Sequence, residues 1–280
     1  MKNITIILEK ARNIMQSNIP DCISIIVASF LLFPMGRNYL EVIFFDVGQG
    51  DAILIQEGNI QILVDGGPDD TILYKLAERI PLYDKKIELL ILTHPHDDHI
   101  KGLLNVLKEY EIEKILINKI TSSHMGYQYM LEKYESKIAN VVVGDTIEYG
   151  DIRMEVLYPF EDNLPQKSNI NNESIVILLS VQHAKMLLMG DAEEEVEEEM
   201  IKNNTVNPVD ILKAGHHCSR TSSSEMFLKN INPRFAICSC GRKNKFGHPH
   251  HETLEKFQDL NVQYFLSYEE GDIVIKFDHL

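Results

Sequence analysis

Eight of the 11 histidines in this 280-residue chain fall in two places. His94, His96 and His99 lie within one short stretch, and His216, His217, His248, His250 and His251 occupy the last quarter. The first group reads THPHDDH, from Thr93 to His99, and follows the apolar run IELLIL. Side chains at i and i+2 leave a strand on the same side, so His94 and His96 are expected to point together. Asp98 and His99 follow the turn and face a neighbouring position. Crowding so many ionisable groups into one loop without a cation would cost desolvation and mutual repulsion. The loop therefore reads as one that serves two metal ions.

Two ions roughly 3.5–4 Å apart need a carboxylate from another element to bridge them. Asp191 is the candidate, since it closes the run KMLLMGD after Gly190; the alternative is a cap for the helix carrying EEEVEEE, Glu193 to Glu199, whose charges are expected on a solvated face. SIVILLSV and KMLLMGD read as a hairpin turning at QHA. That geometry places His183 more than ~20 Å from Asp191 and returns Asn171, Asn172, Glu173 and Ser174 beside it. An amide oxygen of Asn171 or Asn172 would enrich the site in oxygen, tilting it towards Mn²⁺ while leaving Zn²⁺ open. A second loop, LKAGHHCSRTSSS from Leu212 to Ser224, supplies Lys213, His216, His217, Ser219, Arg220 and Ser222. His217 is the expected ligand and His216 its neighbour on the substrate, with the reverse also open. The stretch CGRKNKFGHPHH adds Arg242, Lys243, Lys245, His248 and His250, with no acidic residue before Glu252.

The elements that must position these groups are legible from periodicity. Helical spacing covers 71–80, 100–109, 124–137, 192–202, 223–230 and 251–259, and strand-like runs such as VIFFDVG, IQILVDGG, SIVILLSV and RFAICS lie between them. The pattern predicts two sheets packed face to face with helices outside, filling residues 40–280 as one domain. Apolar residues make up 44% and charged residues 25%, which excludes fibrous and disordered classes. Asp and Glu number 42 against 27 Lys and Arg, a net charge of −15, so an anionic substrate must be held by local positive charge. Cys22, Cys218, Cys238 and Cys240 show neither zinc-ribbon spacing nor a disulfide framework. Residues 1–39 form an N-terminal segment whose apolar run, Cys22 to Met35, reads either as a membrane anchor or export signal or as a helix packed on the domain.

The ordered motifs FFDVGQGDAILI, ILVDGG, LTHPHDDHIKGL, NNES, LLMGDAEEE, LKAGHHCSRTSS and NKFGHPHHETL resemble the metallo-β-lactamase-type domain of the ComEC competence proteins over about residues 40–277. The resemblance implies an α/β fold, a four-layer αββα metallo-β-lactamase-type sandwich, with a two-metal hydrolase site. It also implies a bacterial, membrane-attached or extracytoplasmic nuclease acting on incoming DNA; a cytoplasmic location is the alternative. The many spans of the channel are not expected in this chain, and Cys218 stands where the family usually has Gly.

The resulting expectation is a dinuclear-metal phosphodiesterase with Zn or Mn as its two divalent ions. His94 and His96 hold the first ion, Asp98, His99 and His217 the second, and Asp191 both. Asp98, His216 and His248 are the catalytic candidates, with His248 ahead of His216 as proton donor to the leaving group. Asn171, Lys213, Ser219, Arg220, Ser222, Arg242, Lys245 and His250 are expected on the substrate. The rivals are a hydrolase of a small phosphodiester such as phosphorylcholine or a nucleotide, and a non-catalytic, metal-stabilised DNA-binding module; lactam hydrolysis ranks below both.

Overall fold

The computed structural model describes residues 5–8, 39–160 and 169–278. The apolar run at 22–35, expected as an anchor, signal or packed helix, lies outside the described residues. Among those residues no helix is long and apolar enough to cross a membrane.

The first half of the chain runs β1 (Thr5–Leu8), β2 (Tyr39–Phe44), β3 (Ile53–Glu57), β4 (Ile60–Val64), α1 (Thr71–Arg79), β5 (Lys86–Leu92), α2 (Asp97–Glu109), β6 (Glu111–Ile117), α3 (Met125–Lys133) and β7 (Ile138–Asn140). The second half runs β8 (Thr146–Tyr149), β9 (Ile152–Tyr158), β10 (Val176–Val181), β11 (Ala184–Leu188), α4 (Glu194–Lys202), β12 (Ile211–Lys213), α5 (Glu225–Ile231), β13 (Phe235–Cys238), α6 (His251–Asp259), β14 (Gln263–Leu266) and β15 (Ile273–Asp278). One sheet has the order β1-β15-β2-β3-β4-β5-β6-β7 and the other β14-β13-β12-β11-β10-β9-β8. Thr5–Leu8, from the segment before residue 40, pairs antiparallel with β15 as an edge strand.

Strand alternation sorts the apolar residues into three cores. Leu40, Val42 and Phe44 of β2 enter a core between the sheets with Ile177, Met186 and Ile211, while Ile43 faces the opposite side and packs with Leu76 and Leu103 of α1 and α2. A third core joins the second sheet to Val196, Phe227 and Phe257 of α4, α5 and α6. Helices therefore cover both outer faces, which is the expected αββα sandwich.

The chemistry-bearing loops all leave strand ends on one edge of this sandwich. Asp65 follows β4, THPHDDH follows β5, Asp191 follows β11, His216 and His217 follow β12, and Ser239 follows β13. Helix α2 approaches this edge closely because Gly102 lies against Gly66. A Cβ at Gly102 would sit 1.8 Å from the Gly66 carbonyl oxygen, so only a bare backbone fits. That approach carries Asp98 and His99, on the first turn of α2, into the centre.

Candidate metal centre

Asp191 is the hub. Its Oδ2 lies 3.3 Å from His99 Nε2, 3.4 Å from His217 Nε2 and 3.7 Å from His94 Nε2. His217 Nε2 is also 3.3 Å from Asp98 Oδ2, and His94 Nε2 is 3.0 Å from His96 Nδ1. Asp98, His99 and His217 lie together, and His94 groups with His99 and Asp191. His96 adjoins them through His94 and lines the cleft above.

Each of the three buried imidazoles has its other nitrogen engaged, which turns Nε2 inward. His99 Nδ1 meets Asp65 Oδ2 at 2.8 Å, and His217 Nδ1 donates to the Ser239 carbonyl at 2.8 Å. His94 Nδ1 lies 3.2 Å from both Ser174 Oγ and Thr93 Oγ1. Ser174 Oγ also accepts the Asp191 backbone N–H at 3.0 Å, and the β10–β11 register, Ile177 opposite Leu188, is what brings these two residues together. His183 sits exposed at the far turn of that hairpin, as expected.

The donor chemistry fits divalent cations. His99 Nε2, His217 Nε2 and Asp191 Oδ1 are buried and face the centre with no hydrogen-bond partner. Orphaned buried polar atoms cost about 1–3 kcal/mol each, and a cation among mixed imidazole and carboxylate donors would satisfy them together. Burial opposes charge on His99 and His217, but Asp191, with Asp65 for one ring and Asp51 and Asp98 for the other, raises both pKa values well above the ordinary imidazole range. Burial opposes ionisation of Asp191 too, yet His217 and His99 draw its carboxyl well below the usual range. Cation binding here would release protons. Burial and the neighbouring His99 hold His94 neutral.

Two carboxylates essential to this arrangement were not singled out from sequence. Asp65 accepts the Thr93 N–H and hydroxyl besides holding His99. Asp51 lies 3.4 Å from His217 Nδ1 and pairs with Lys213 at 2.5 Å. Both close motifs in which an acid follows or precedes Gly at a strand end, the signal that identified Asp191. Replacing Asp65 by Asn is expected to lower metal affinity about 10–100-fold, measured by competition with a chromophoric chelator. Unchanged affinity would remove its orienting role.

Several expected substrate contacts lie elsewhere. Lys213 is enclosed, with its ammonium on Asp51 and on the Gly190 and Ala214 carbonyls, so it braces the His217 loop from beneath instead of holding phosphate. The buried Ser222 hydroxyl donates to the Gly215 and Ser219 carbonyls, and buried Ser219 Oγ lies 3.0 Å from Thr221 Oγ1. Arg242 donates to the Tyr268 carbonyl and lies over that ring. Arg220 and Lys245 are exposed, and His250 Nδ1 accepts the Arg220 N–H at 3.0 Å. Asn171 lines the cleft, with Oδ1 unpaired and Nδ2 donating to Glu193 at 2.7 Å. His216 also lines the cleft, its Nδ1 3.0 Å from Glu193 Oε1. His248 stands beside it, rings 5.1 Å apart. Burial and the adjacent His217 and His216 lower the His248 pKa to about 3.

The acidic helix is less solvated than its charge run implies. Buried Glu197 accepts the Ser223 and Ser224 N–H groups, and Glu195 accepts from Asn172. Glu197 turns inward because it meets the backbone donors of the site loop, whereas Glu195 stays exposed at the surface. The cysteines also depart from expectation. Parallel β12 and β13, with Lys213 opposite Ile237, bring Cys218 and Cys238 together as a disulfide with a Cα–Cα distance of 5.6 Å.

The profile of the metallo-beta-lactamase superfamily matches residues 45–242. This chain belongs to that superfamily. ComE operon protein 3 of Bacillus subtilis (strain 168) is 30% identical over 275 residues, covering 89% of this chain and 34% of that protein. The chain thus spans about a third of that relative's length. Exodeoxyribonuclease WalJ of Streptococcus pneumoniae (serotype 2, strain D39 / NCTC 7466) is 24% identical over 175 residues, 61% of this chain and 64% of WalJ. The metallo-beta-lactamase fold protein YhfI from Bacillus subtilis superposes with a TM-score of 0.57 at 11% identity, over 85% of this chain and all of YhfI, which establishes the shared fold.

Proposed function

We propose that this metal-dependent hydrolase cleaves phosphodiesters with two divalent ions, Mn²⁺ or Zn²⁺, and that its substrate is a DNA strand. The carrying observation is the Asp191 hub, which opens into a cleft of about 590 Å³ beside a basic loop. The similarity to ComE operon protein 3 and to a protein named an exodeoxyribonuclease supports the DNA reading.

His94 and His96 would hold one ion, Asp98, His99 and His217 the other, and Asp191 both. Such ions, when bound, supply Lewis acidity and lower the pKa of water at the site. The chain's own groups do the rest. Glu193 fixes the His216 ring at the cleft wall, which favours His216 over His248 as proton donor to the leaving oxygen. Exposed Arg220, Lys243 and Lys245 supply local positive charge on an acidic body. The Cys218–Cys238 disulfide supports an extracytoplasmic location, because such bonds persist in oxidising compartments, and membrane association through the N-terminal segment is part of the same proposal.

The test strips the protein with chelator and reloads it separately with Mn²⁺ and Zn²⁺. Turnover is then measured on single-stranded oligonucleotide, plasmid, bis-p-nitrophenyl phosphate and a chromogenic lactam. Metal-dependent oligonucleotide cleavage with an inert lactam is expected. Reloaded protein that cleaves no diester would overturn the proposal, and cleavage of the small diester alone would replace DNA with a small substrate.

A further inference from the structure

We infer that Phe246 is a base-stacking platform that selects unpaired nucleotides, an assignment that rests on the phosphodiesterase reading and narrows its substrate to single strands. Phe246 is 50% exposed and belongs to none of the three apolar cores, so its ring does not serve packing. It lines the cleft instead. One face stacks on His248, with ring centroids 5.7 Å apart and planes inclined by 20°. A further ring-to-ring step of 6.0 Å leads from His248 to His217, whose Nε2 faces Asp191, so the platform and the hub lie along one wall of the cleft.

The loop is built to hold that ring. Asn244 Oδ1 accepts the backbone N–H groups of Phe246 and His248, and Asn244 Nδ2 donates to the Gly241 and His248 carbonyls. Four hydrogen bonds from one amide side chain fix the turn. Lys245 lies over the Phe246 ring with Nζ 5.0 Å from its centroid, held by cation–π attraction in solvent. An incoming base takes the place of that ammonium on the ring, and the released charge is adjacent to the strand's phosphates. Between Gly241 and His251 the loop carries cations and no acid, complementary to a polyanion. A base inside a duplex cannot offer its face to the ring, whereas a base in a single strand can.

The test is binding, read without turnover. Fluorescence anisotropy compares Mn²⁺-loaded wild type, Phe246→Ala and Phe246→Trp on phosphorothioate-linked oligo(dT) and on an abasic chain of the same length. Wild type is expected to prefer oligo(dT) by about tenfold, Phe246→Ala to collapse that ratio towards one, and Phe246→Trp to keep it. A ratio retained in Phe246→Ala, or a wild-type ratio of one, overturns the platform and leaves the hydrolytic reading standing. Absence of any diester turnover in the reloaded wild type overturns the hydrolytic reading and the substrate assignment with it.

Discussion

Asp191→Asn is expected to lower phosphodiester turnover by more than about 10³-fold and to reduce the metal retained after reloading, while the fold persists. An outer partner of a metal ligand is worth about 10–100-fold; Asp191 exceeds that because a single oxygen, Oδ2, faces His94, His99 and His217 at 3.3–3.7 Å. Replacing the carboxylate with a neutral amide removes the charge that all three rings face at 3.3–3.7 Å and places N–H groups where donors to a cation are needed. The strand end itself should survive. The Asp191 backbone N–H, on Ser174 Oγ, is untouched, and its Oδ1 bonds nothing in the protein. Metal stoichiometry, turnover and circular dichroism measured together separate loss of the site from loss of the fold. His183→Ala, at the exposed far turn of the same hairpin, is the matched control and should change none of them. Wild-type metal content and rate in Asp191→Asn would remove the proposed centre.

The sandwich was legible because its strands alternate cleanly between two cores, as in Leu40, Val42 and Phe44 against Ile43. The hairpin at 174–191 was legible for the same reason, and with it the proximity of Asn171 and Ser174 to Asp191. What escaped was long-range. β15 returns to pair with β2 and β1, and nothing local in either run announces that partner. Lys213 reads as a phosphate ligand in a His- and Ser-rich stretch, because the acid that buries it, Asp51, comes from the loop between β2 and β3. Glu197 reads as one charge in a solvated run, and only the fold shows the two N–H groups it meets. Periodicity reports which face of an element is buried; it does not report which distant polar group waits there.

The disulfide is the clearest case of a distant partner, and its removal has the second large expected effect. His217 and Cys218 are neighbours, as are Cys238 and Ser239, so the bond lies one residue away from the His217–Ser239 hydrogen bond on both strands. It closes a covalent ring around the contact that turns Nε2 inward. The loop needs that support, since His216, His217 and Cys218 all adopt left-handed backbone, with φ of 45°, 54° and 61°. Non-glycine residues in that region cost of order 1–3 kcal/mol each. Cys218→Ala with Cys238→Ala is therefore expected to lower unfolding free energy by about 3 kcal/mol, the value for a loop of this length, and to weaken metal affinity by about 10–100-fold. Cys218→Gly with Cys238→Ala should recover part of the stability, because glycine adopts positive φ without a Cβ penalty. Both cysteines are fully buried, so reductant added to folded protein acts only after opening, and the variants are the cleaner comparison. Denaturant midpoints and chelator competition give the two readouts. If the alanine pair matched wild type in both, the bond would be incidental, and the left-handed turn that presents His217 would be held by its hydrogen bonds, among them Ser222 to Gly215 and Ser219 and the His216 N–H to Gly190.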